Sequence, residues 1–535
     1  MDQHDLDILQ SGDVEEKGVV LKRFVEKHSQ TFDFGAFNQS GQWPIIWNSI
    51  FNILKLPSSL QSNILPQCLA SVRILSRSKS NLNHATANQF DCLLNIANIG
   101  AHNVECSNQI SVEALKCLCN LVYQSEKCQA MCLKNSSIEG IIKRLRTYKD
   151  HNVNYDLQYF DMKLLFIITG LNPNVRTKVR DDFHGLTYLV ETLDMIMREQ
   201  RQQNYLPDKH IDLLCEILKV LFNITVRNET SVATEEEEEI QFRRLSVVLH
   251  DLFLCKSYNK DKQNELCSNT INLLTNVPTA CFSELILSLH DNDDVSHVKV
   301  FEGHDMSVID VLLAYLKGRL DNVQKLSVQQ ELLSPILMVL VKCVRSNTIL
   351  RRYIRSVILP PLRDVTNRPE VGNELRNQLC RLLTTPATQV RDLNAELLFV
   401  ICKENVCRMT KYTGYGNAAG LFANRGLLGG HGGPTADYSS DSEDSDTEEY
   451  KQIQQNINPV LGCYELPRPD PFAGMSDEKK EYEAMKLVKL MDDLNRRGVV
   501  QPCRIGPDGR PEAVEHILEL QEGLPQQQLD HKRKT

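Results

Sequence analysis

From about residue 13 to 405, apolar residues recur at i, i+3, i+4 and i+7, as in IIWNSIFNIL (45–54), IDLLCEILKVLFNI (211–224) and LNAELLFVIC (393–402). That is the period of a helix with one buried face. Short polar or Pro/Gly breaks separate the segments, and no run alternates with the period of two that a half-buried strand needs. The pattern predicts an all-α chain.

A second, longer period lies inside the first. The template apolar-x-x-apolar-x-Asn-apolar occurs as LLNIANI (93–99), LKCLCNL (115–121), LKVLFNI (218–224) and INLLTNV (271–277), and LFIITGL (165–171) carries Gly170 at the marked position. Asn120 to Gly170 is 50 residues, Gly170 to Asn223 is 53, and Asn223 to Asn276 is another 53. That spacing is near the roughly 40–47 residues of HEAT and armadillo repeats. A helix pair cannot bury its apolar face alone, so the units are expected to stack into an armadillo/HEAT-like, right-handed helical solenoid. VRILSRS, LMVLVKC and LFVICKE put Arg77, Lys342 and Lys403 at the marked position, with Arg73 four residues before Arg77 and Arg345 three after Lys342. If the template marks one helix per repeat, Arg73, Arg77, Asn120, Asn223, Asn276, Lys342 and Arg345 line one concave wall, amide-rich in the middle and basic toward both ends. The competing reading is that each Asn simply ends its helix in a left-handed conformation.

The array is expected to fill 1–410. Residues 411–475 read as a linker: glycine-rich (KYTGYGNAAGLFANRGLLGGHGG), then acidic, then proline-marked. Periodicity returns at 476–498, where Tyr482, Met485, Leu487, Val488, Met491 and Leu494 form an apolar stripe and Gly498 ends it. Such a helix has no core of its own and is expected to dock on a partner or on the solenoid. Residues 499–535 read as a tail, partly disordered.

Composition bounds function more than it identifies it. The 535 residues are 42% hydrophobic and 24% charged, with net charge −9. That balance argues against a phosphate-reading nucleic-acid binder. The N-terminal stretch has no signal-peptide core and no window is apolar enough to span a membrane. The seventeen cysteines, scattered through helical patterns, read as reduced, buried thiols of a cytoplasmic protein. GYGNAAG (414–420) is one residue too long for a dinucleotide fingerprint and follows a helix. There is no P-loop and no zinc or calcium ligand spacing, so the sequence predicts no cofactor, no metal and no catalytic residue. EEEEE (235–239) with Thr234 and Glu237 reads as a capped helix entry.

The run YSSDSEDSDTEEY (438–450) holds six acidic residues. Acid-directed Ser/Thr kinases want an acid three residues after the target. Ser440 has Glu443 there and Ser445 has Glu448, so these two are the candidate phosphorylation sites; a plain solvated linker is the other reading.

Several segments together, VRILSRS, ILPPLRDV (358–365), KYTGYGNAAGLFANRGLL, SEDSDTEEYK, NINPV and MSDEKKEYEAMKLVKLMDDL, closely resemble the synembryn family, the "resistance to inhibitors of cholinesterase" proteins, nearer the A type. The resemblance implies an armadillo/HEAT-like exchange factor and folding chaperone for heterotrimeric G protein α subunits, acting as a monomer and recruited with them to the cell cortex. It implies that the C-terminal helix of the α subunit is held in the concave groove. Arg73, Arg77, Asn120, Lys342 and Arg345 would hold that tail, and the 476–494 helix would reach a second surface of the Ras-like domain. It also implies that Ser440 and Ser445 are a phosphorylated pair that raises activity. A passive armadillo-type peptide-binding adaptor is the alternative.

Overall fold

A computed structural model describes residues 1–32, 41–56, 63–102, 104–150, 153–200, 205–226, 235–289, 298–322, 326–429, 447–465, 472–515 and 517. Its contacts divide the chain into two units, Met1–Ile286 and Leu287–Thr535.

The helices of the first unit are α1 Gln3–Ser11, α2 Val14–His28, α3 Gln42–Ile53, α4 Leu65–Leu75, α5 Ala87–Ile96, α6 Asn108–Gln124, α7 Glu126–Lys134, α8 Ser137–Leu145, α9 Tyr155–Leu171, α10 Pro173–Thr177, α11 Gly185–Gln200, α12 Asp208–Thr225, α13 Glu235–Leu254 and α14 Lys260–Leu274. Many start where a side chain takes up N–H groups that the first turn leaves unpaired. Asp13 and Glu16 form a reciprocal capping box at α2, Thr86 and Gln89 another at α5, and Ser107, Asn154 and Asn259 cap α6, α9 and α14.

Stacking follows from where the apolar residues lie. α2, α4, α6, α9, α12 and α14 pack each on the next in one row, and α5, α8, α11 and α13 back that row. α12 buries Ile211, Leu213, Leu214, Ile217, Leu218, Val220, Leu221 and Ile224, nearly its whole circumference, as a helix between two others must. The backing helix α8 buries a single apolar stripe, Ile138, Ile141, Ile142 and Leu145, with Ser137 at its start. Each such aliphatic side chain contributes roughly 1.5–3 kcal/mol on leaving water. Gly140 lets α8 settle on the chain after α5, since a Cβ there would stand 2.1 Å from the Ile99 carbonyl oxygen. One charged group crosses this seam. Arg144 of α8 donates through Nε to Asp161 Oδ2 of α9 at 2.7 Å, through Nη2 to Oδ1, and through Nη1 to the Ala97 carbonyl at 2.6 Å. The Tyr148 hydroxyl donates to Asp161 Oδ2 at 3.0 Å.

The second unit continues with α15 Ser307–Asn322, α16 Leu326–Ser346, α17 Thr348–Ile358, α18 Leu375–Leu382, α19 Thr388–Ile401, α20 Val406–Thr413, α21 Tyr415–Arg425, α22 Glu448–Ile453 and α23 Asp477–Arg496. Among the described residues its strands are pieces of two or three residues: β1 Leu287–Ser288, β2 Val300–Phe301 and β3 His304–Asp305 in the order β1-β3-β2, β4 Ile457–Asn458 against β5 Cys463–Tyr464, and β6 Cys503–Ile505 against β7 Pro511–Ala513. α16 packs on α19, with α15 and α17 beside it. Both units are thus stacks of helices, and the all-α solenoid class stands.

Two boundaries differ from the sequence reading. First, helices do not stop near 405: α20 and α21 pack on α19 and bury Met409, Tyr412, Ala418 and Phe422. Gly414, at φ +73°, turns one helix into the next, and Gly426, at φ +71°, ends α21. Second, the segment after α23 is not all tail. The β6–β7 hairpin docks on the end of α21, where Leu428 N–H donates to the Gly509 carbonyl at 3.2 Å. A Cβ on Gly509 would lie 1.8 Å from the Gly426 oxygen, so that turn accepts only glycine.

Candidate functional site

The marked positions of the repeat template do three different things. Asn98, at φ +56°, ends its helix in the left-handed region, as the competing reading proposed for asparagine, and Lys403, at φ +57°, does the same although that reading did not extend to the cations. Asn120, Asn223 and Asn276 bridge neighbouring helices of the row. Asn120 Nδ2 donates to the Arg73 carbonyl at 3.2 Å and Ser76 Oγ at 3.1 Å. Asn223 Nδ2 donates to the Phe166 carbonyl at 3.2 Å and Thr169 Oγ1 at 3.1 Å. Asn276 Nδ2 donates to the Phe222 carbonyl at 2.9 Å and Thr225 Oγ1 at 3.1 Å. Each time the acceptors are a carbonyl and a hydroxyl three residues later at the C-terminal end of the preceding row helix. Gly170 lies beside the second bridge, where a Cβ would make only ordinary contact, 3.4 Å, with Asn223 Nδ2. The hydroxyls Ser76, Thr169 and Thr225 are the partners that the sequence reading missed; their signal is a Ser or Thr at a helix end about one repeat before each Asn.

Arg73 and Arg77 do not share a helical face as the sequence suggested, because α4 ends at Leu75 and Arg77 lies in the following turn. Arg73 reaches forward, Nε to Glu113 Oε2 of α6 at 3.1 Å. Arg77 reaches back past α2, donating to the Ser29 and Thr31 carbonyls at 2.9 Å each, with its guanidinium 4.7 Å over the Phe32 ring. Burial, and then the nearby Arg73 charge, lower the Arg77 pKa.

The row of the first unit is not a plain amide strip. Lys116 pairs with Glu113 at 2.6 Å and stands 5.2 Å over the Phe160 ring. Lys219 pairs with Glu216 at 3.1 Å and stands 5.8 Å over Phe166. Lys262 bridges Asp212 and Glu265, and the hydrogen bond it donates to Asp212 is the largest cause of its raised pKa. Burial pulls the Lys163 ammonium pKa down, but its hydrogen bond to the Tyr159 hydroxyl at 3.3 Å, helped by nearby acids, carries the net shift upward. The face therefore alternates cation, acid and aromatic from helix to helix.

In the second unit Lys342 is half-buried on α16, and Arg345 one turn later pairs with Glu396, and with Glu404 at 3.3 Å. Arg425 shares Glu396 and covers the Phe399 ring at 4.9 Å. α23 is capped by Ser476 and has no buried residue along twenty positions. Tyr482, Met485, Leu487 and Leu490 are each more than half exposed and Val488 is half-buried. Ser440, Ser445 and Thr234 lie outside the described residues. At the C-terminal end of the acidic run, Thr447 caps α22 and donates to the Leu362 carbonyl, and Lys411 sits 4.7 Å over the buried Tyr450 ring.

Most cysteines are buried, and burial pushes thiols such as Cys68, Cys119 and Cys343 up to about 12. Among the described residues no group of three or more His, Cys, Asp or Glu could hold a metal ion, and no helix is long and apolar enough to cross a membrane.

Compared with known proteins, residues 68–510 match the family described as guanine nucleotide exchange factor synembryn. The chain is 42% identical to "Chaperone Ric-8" of Drosophila melanogaster over 100% of both chains. It is 36% identical to "Chaperone Ric-8A" of Danio rerio over 96% of both, and 36% identical to that of Mus musculus over 97% of this chain and 96% of the relative. Among solved structures it resembles an engineered protein at TM-score 0.43 and 14% identity, over 86% of this chain and 99% of the other, a likeness too loose to bear on fold or function.

Proposed function

This chain belongs to the guanine nucleotide exchange factor synembryn family, and from that premise we propose that it binds heterotrimeric G protein α subunits, promotes GDP release from them and chaperones their folding. The observation that carries the reading, beyond family membership, is α23. A twenty-residue amphipathic helix with no buried residue leaves most of its apolar stripe open to solvent. Apolar surface left open in this way marks an interaction site.

In the proposed arrangement the C-terminal tail of the α subunit lies on the helix row of the first unit, against Arg73, Asn120, Asn223 and Asn276. Lys342 and Arg345 of the second unit are tested separately, by reversing each charge. α23 meets a second surface of the α subunit through Tyr482, Met485 and Val488. Exchange then needs only differential binding. If the chain holds nucleotide-free α subunit more tightly than the GDP form, linkage requires that GDP be weakened by the same factor. GTP with magnesium, by ordering the switch segments, releases the partner. Such a mechanism asks no side chain of this protein to touch the reacting phosphates.

The test is GDP release from purified α subunits of several classes with the full chain added. Faster release from at least one class is expected. Unchanged release from every class, with binding retained, would leave the passive adaptor as the better reading.

A further inference from the structure

Tyr482 stands apart from the other tyrosines. Several, such as Tyr148, Tyr353, Tyr412 and Tyr450, are buried. Among the described residues Tyr123, Tyr258 and Tyr482 are the tyrosines more than half exposed, at 65%, 83% and 68%. Tyr123 lies on α6 with Leu121 and Val122 buried beside it, so unwinding the chain around it would bring apolar surface into water. Tyr258 stacks on the Tyr205 ring, 4.0 Å between centroids, and stands between Lys256 and Lys260. Tyr482 has Glu481 and Glu483 on either side, with Asp477 and Glu478 upstream. It lies in the second turn of α23, and no residue of that helix is buried. An element that buries nothing opens locally at little cost. Tyr482 is thus an accessible phenol in an acidic setting, on a helix that can present it as a short extended segment.

We propose that Tyr482 is a phosphorylation site for an acid-preferring tyrosine kinase, and that its phosphate weakens the contact between α23 and a G protein α subunit. The proposal rests on the reading that α23 meets the α subunit, and it specifies how that contact is turned down. Kinases choose substrates partly by charge pattern, and acids on both sides of the hydroxyl suit a basic substrate groove. In the transfer the phenolic oxygen of Tyr482 attacks the γ-phosphorus of ATP. The bond from that phosphorus to the β–γ bridging oxygen breaks, ADP leaves, and the phenolic proton passes to the base of the kinase. The product carries about −1.5 to −2 charges at pH 7. Lys479, three residues before, and Lys486, four after, share its helical face. Lys486 reaches Glu483 at 3.7 Å, a pairing loose enough to yield to a phosphate. Held between two cations, the phosphate leaves α23 helical. It changes the surface instead: a charge set beside Met485 must lose its water when the apolar stripe is covered, which opposes docking.

The experiment treats the full chain with an acid-preferring tyrosine kinase and ATP, maps the phosphate by mass spectrometry, and then measures GDP release from purified α subunits. Phosphate is expected at Tyr482, and the treated wild type should accelerate release about tenfold less than the untreated chain. For Tyr482→Phe the treated and untreated samples are compared with each other, and their rates should agree. Glu481→Lys with Glu483→Lys should slow incorporation at Tyr482 by about tenfold. A chain that takes no phosphate at Tyr482, under conditions where a control acidic tyrosine peptide is fully modified, overturns the site. Full incorporation with an unchanged rate overturns the regulation and leaves the proposed function standing. An equal fall in the treated Tyr482→Phe variant assigns the effect to another tyrosine and also overturns the inference. An untreated chain that accelerates release from no class of α subunit removes the proposed contact, and this inference with it.

Discussion

Arg73 and Arg77 show how two cations four residues apart come to have separate jobs. Arg73 is about one-third exposed, with Glu113 as its partner, and it can exchange that carboxylate for one brought by a ligand. Arg77 holds the chain after α2 through two carbonyls and a ring. Arg77→Ala should therefore lower unfolding stability by about 1–3 kcal/mol, read by urea denaturation, because it strips two charge-assisted donors. Arg73→Glu should leave stability within about 1 kcal/mol, but weaken tail-peptide binding by about 1–3 kcal/mol. If both variants lose stability equally and neither changes peptide affinity, Arg73 belongs to the scaffold and not to the site. The sequence showed these cations and the asparagines as one template, and to that extent the candidate site was legible. It did not show that Asn98 and Lys403 end helices while Asn120, Asn223 and Asn276 bridge them. Ser76, Thr169 and Thr225 decide that difference, and they stand 44 to 54 residues away from their asparagines. Packing register sets such a pairing, and local spacing does not carry it.

Helices α20 and α21 are where local propensity misled. Gly414, Gly416, Gly420 and Gly426 in so short a stretch argue for a loop, since each interior glycine costs a helix about 1 kcal/mol relative to alanine. Burial of Ala418 and Phe422 under the packing of α19 outweighs that cost. By contrast α23 was legible from its stripe and its ends, with Ser476 accepting the Lys479 N–H and Gly498 at φ +68° closing it. Between α8 and α9 the burden falls on one carboxylate. Asp161, fully buried, receives Arg144 and Tyr148. Asp161→Ala should destabilise the protein by about 3–5 kcal/mol, because it leaves the Arg144 guanidinium buried without its counter-ion. Replacing both members, as Arg144→Met with Asp161→Leu, should restore much of that loss, since the isolated charge is gone. A melt in which the single and double variants fall together would show that Ala97 and Tyr148, rather than the charge pair, hold the seam.

At the scale of the whole chain the question is which parts bind and which parts exchange. Removing residues 472–535 deletes α23 and the β6–β7 hairpin while keeping every helix from α1 to α22. That cut is cleaner than one at 411, which would run through α20. The truncated chain is expected to keep affinity for the tail peptide and to lose most GDP-release activity. The proposed binding row lies in the first unit, and the proposed second contact with the α subunit would be gone. Full GDP release after truncation would remove α23 from the mechanism. Regulation is tested on the intact chain. Ser440 and Ser445 stand between α21, on whose end the hairpin docks, and Thr447, which is tied to the Leu362 carbonyl. Two phosphates there would add roughly −3 to −4 charges to a chain already at −9. Treatment with an acid-directed kinase should raise the GDP-release rate of the wild-type chain, and the Ser440→Ala, Ser445→Ala double variant should not respond. Phosphate incorporated at both serines with no change in rate would reduce the acidic run to a solvated connection. A response that persists in the double variant would move the switch to Ser439, Ser442 or Thr447, and Thr447 could act only by giving up its cap on α22.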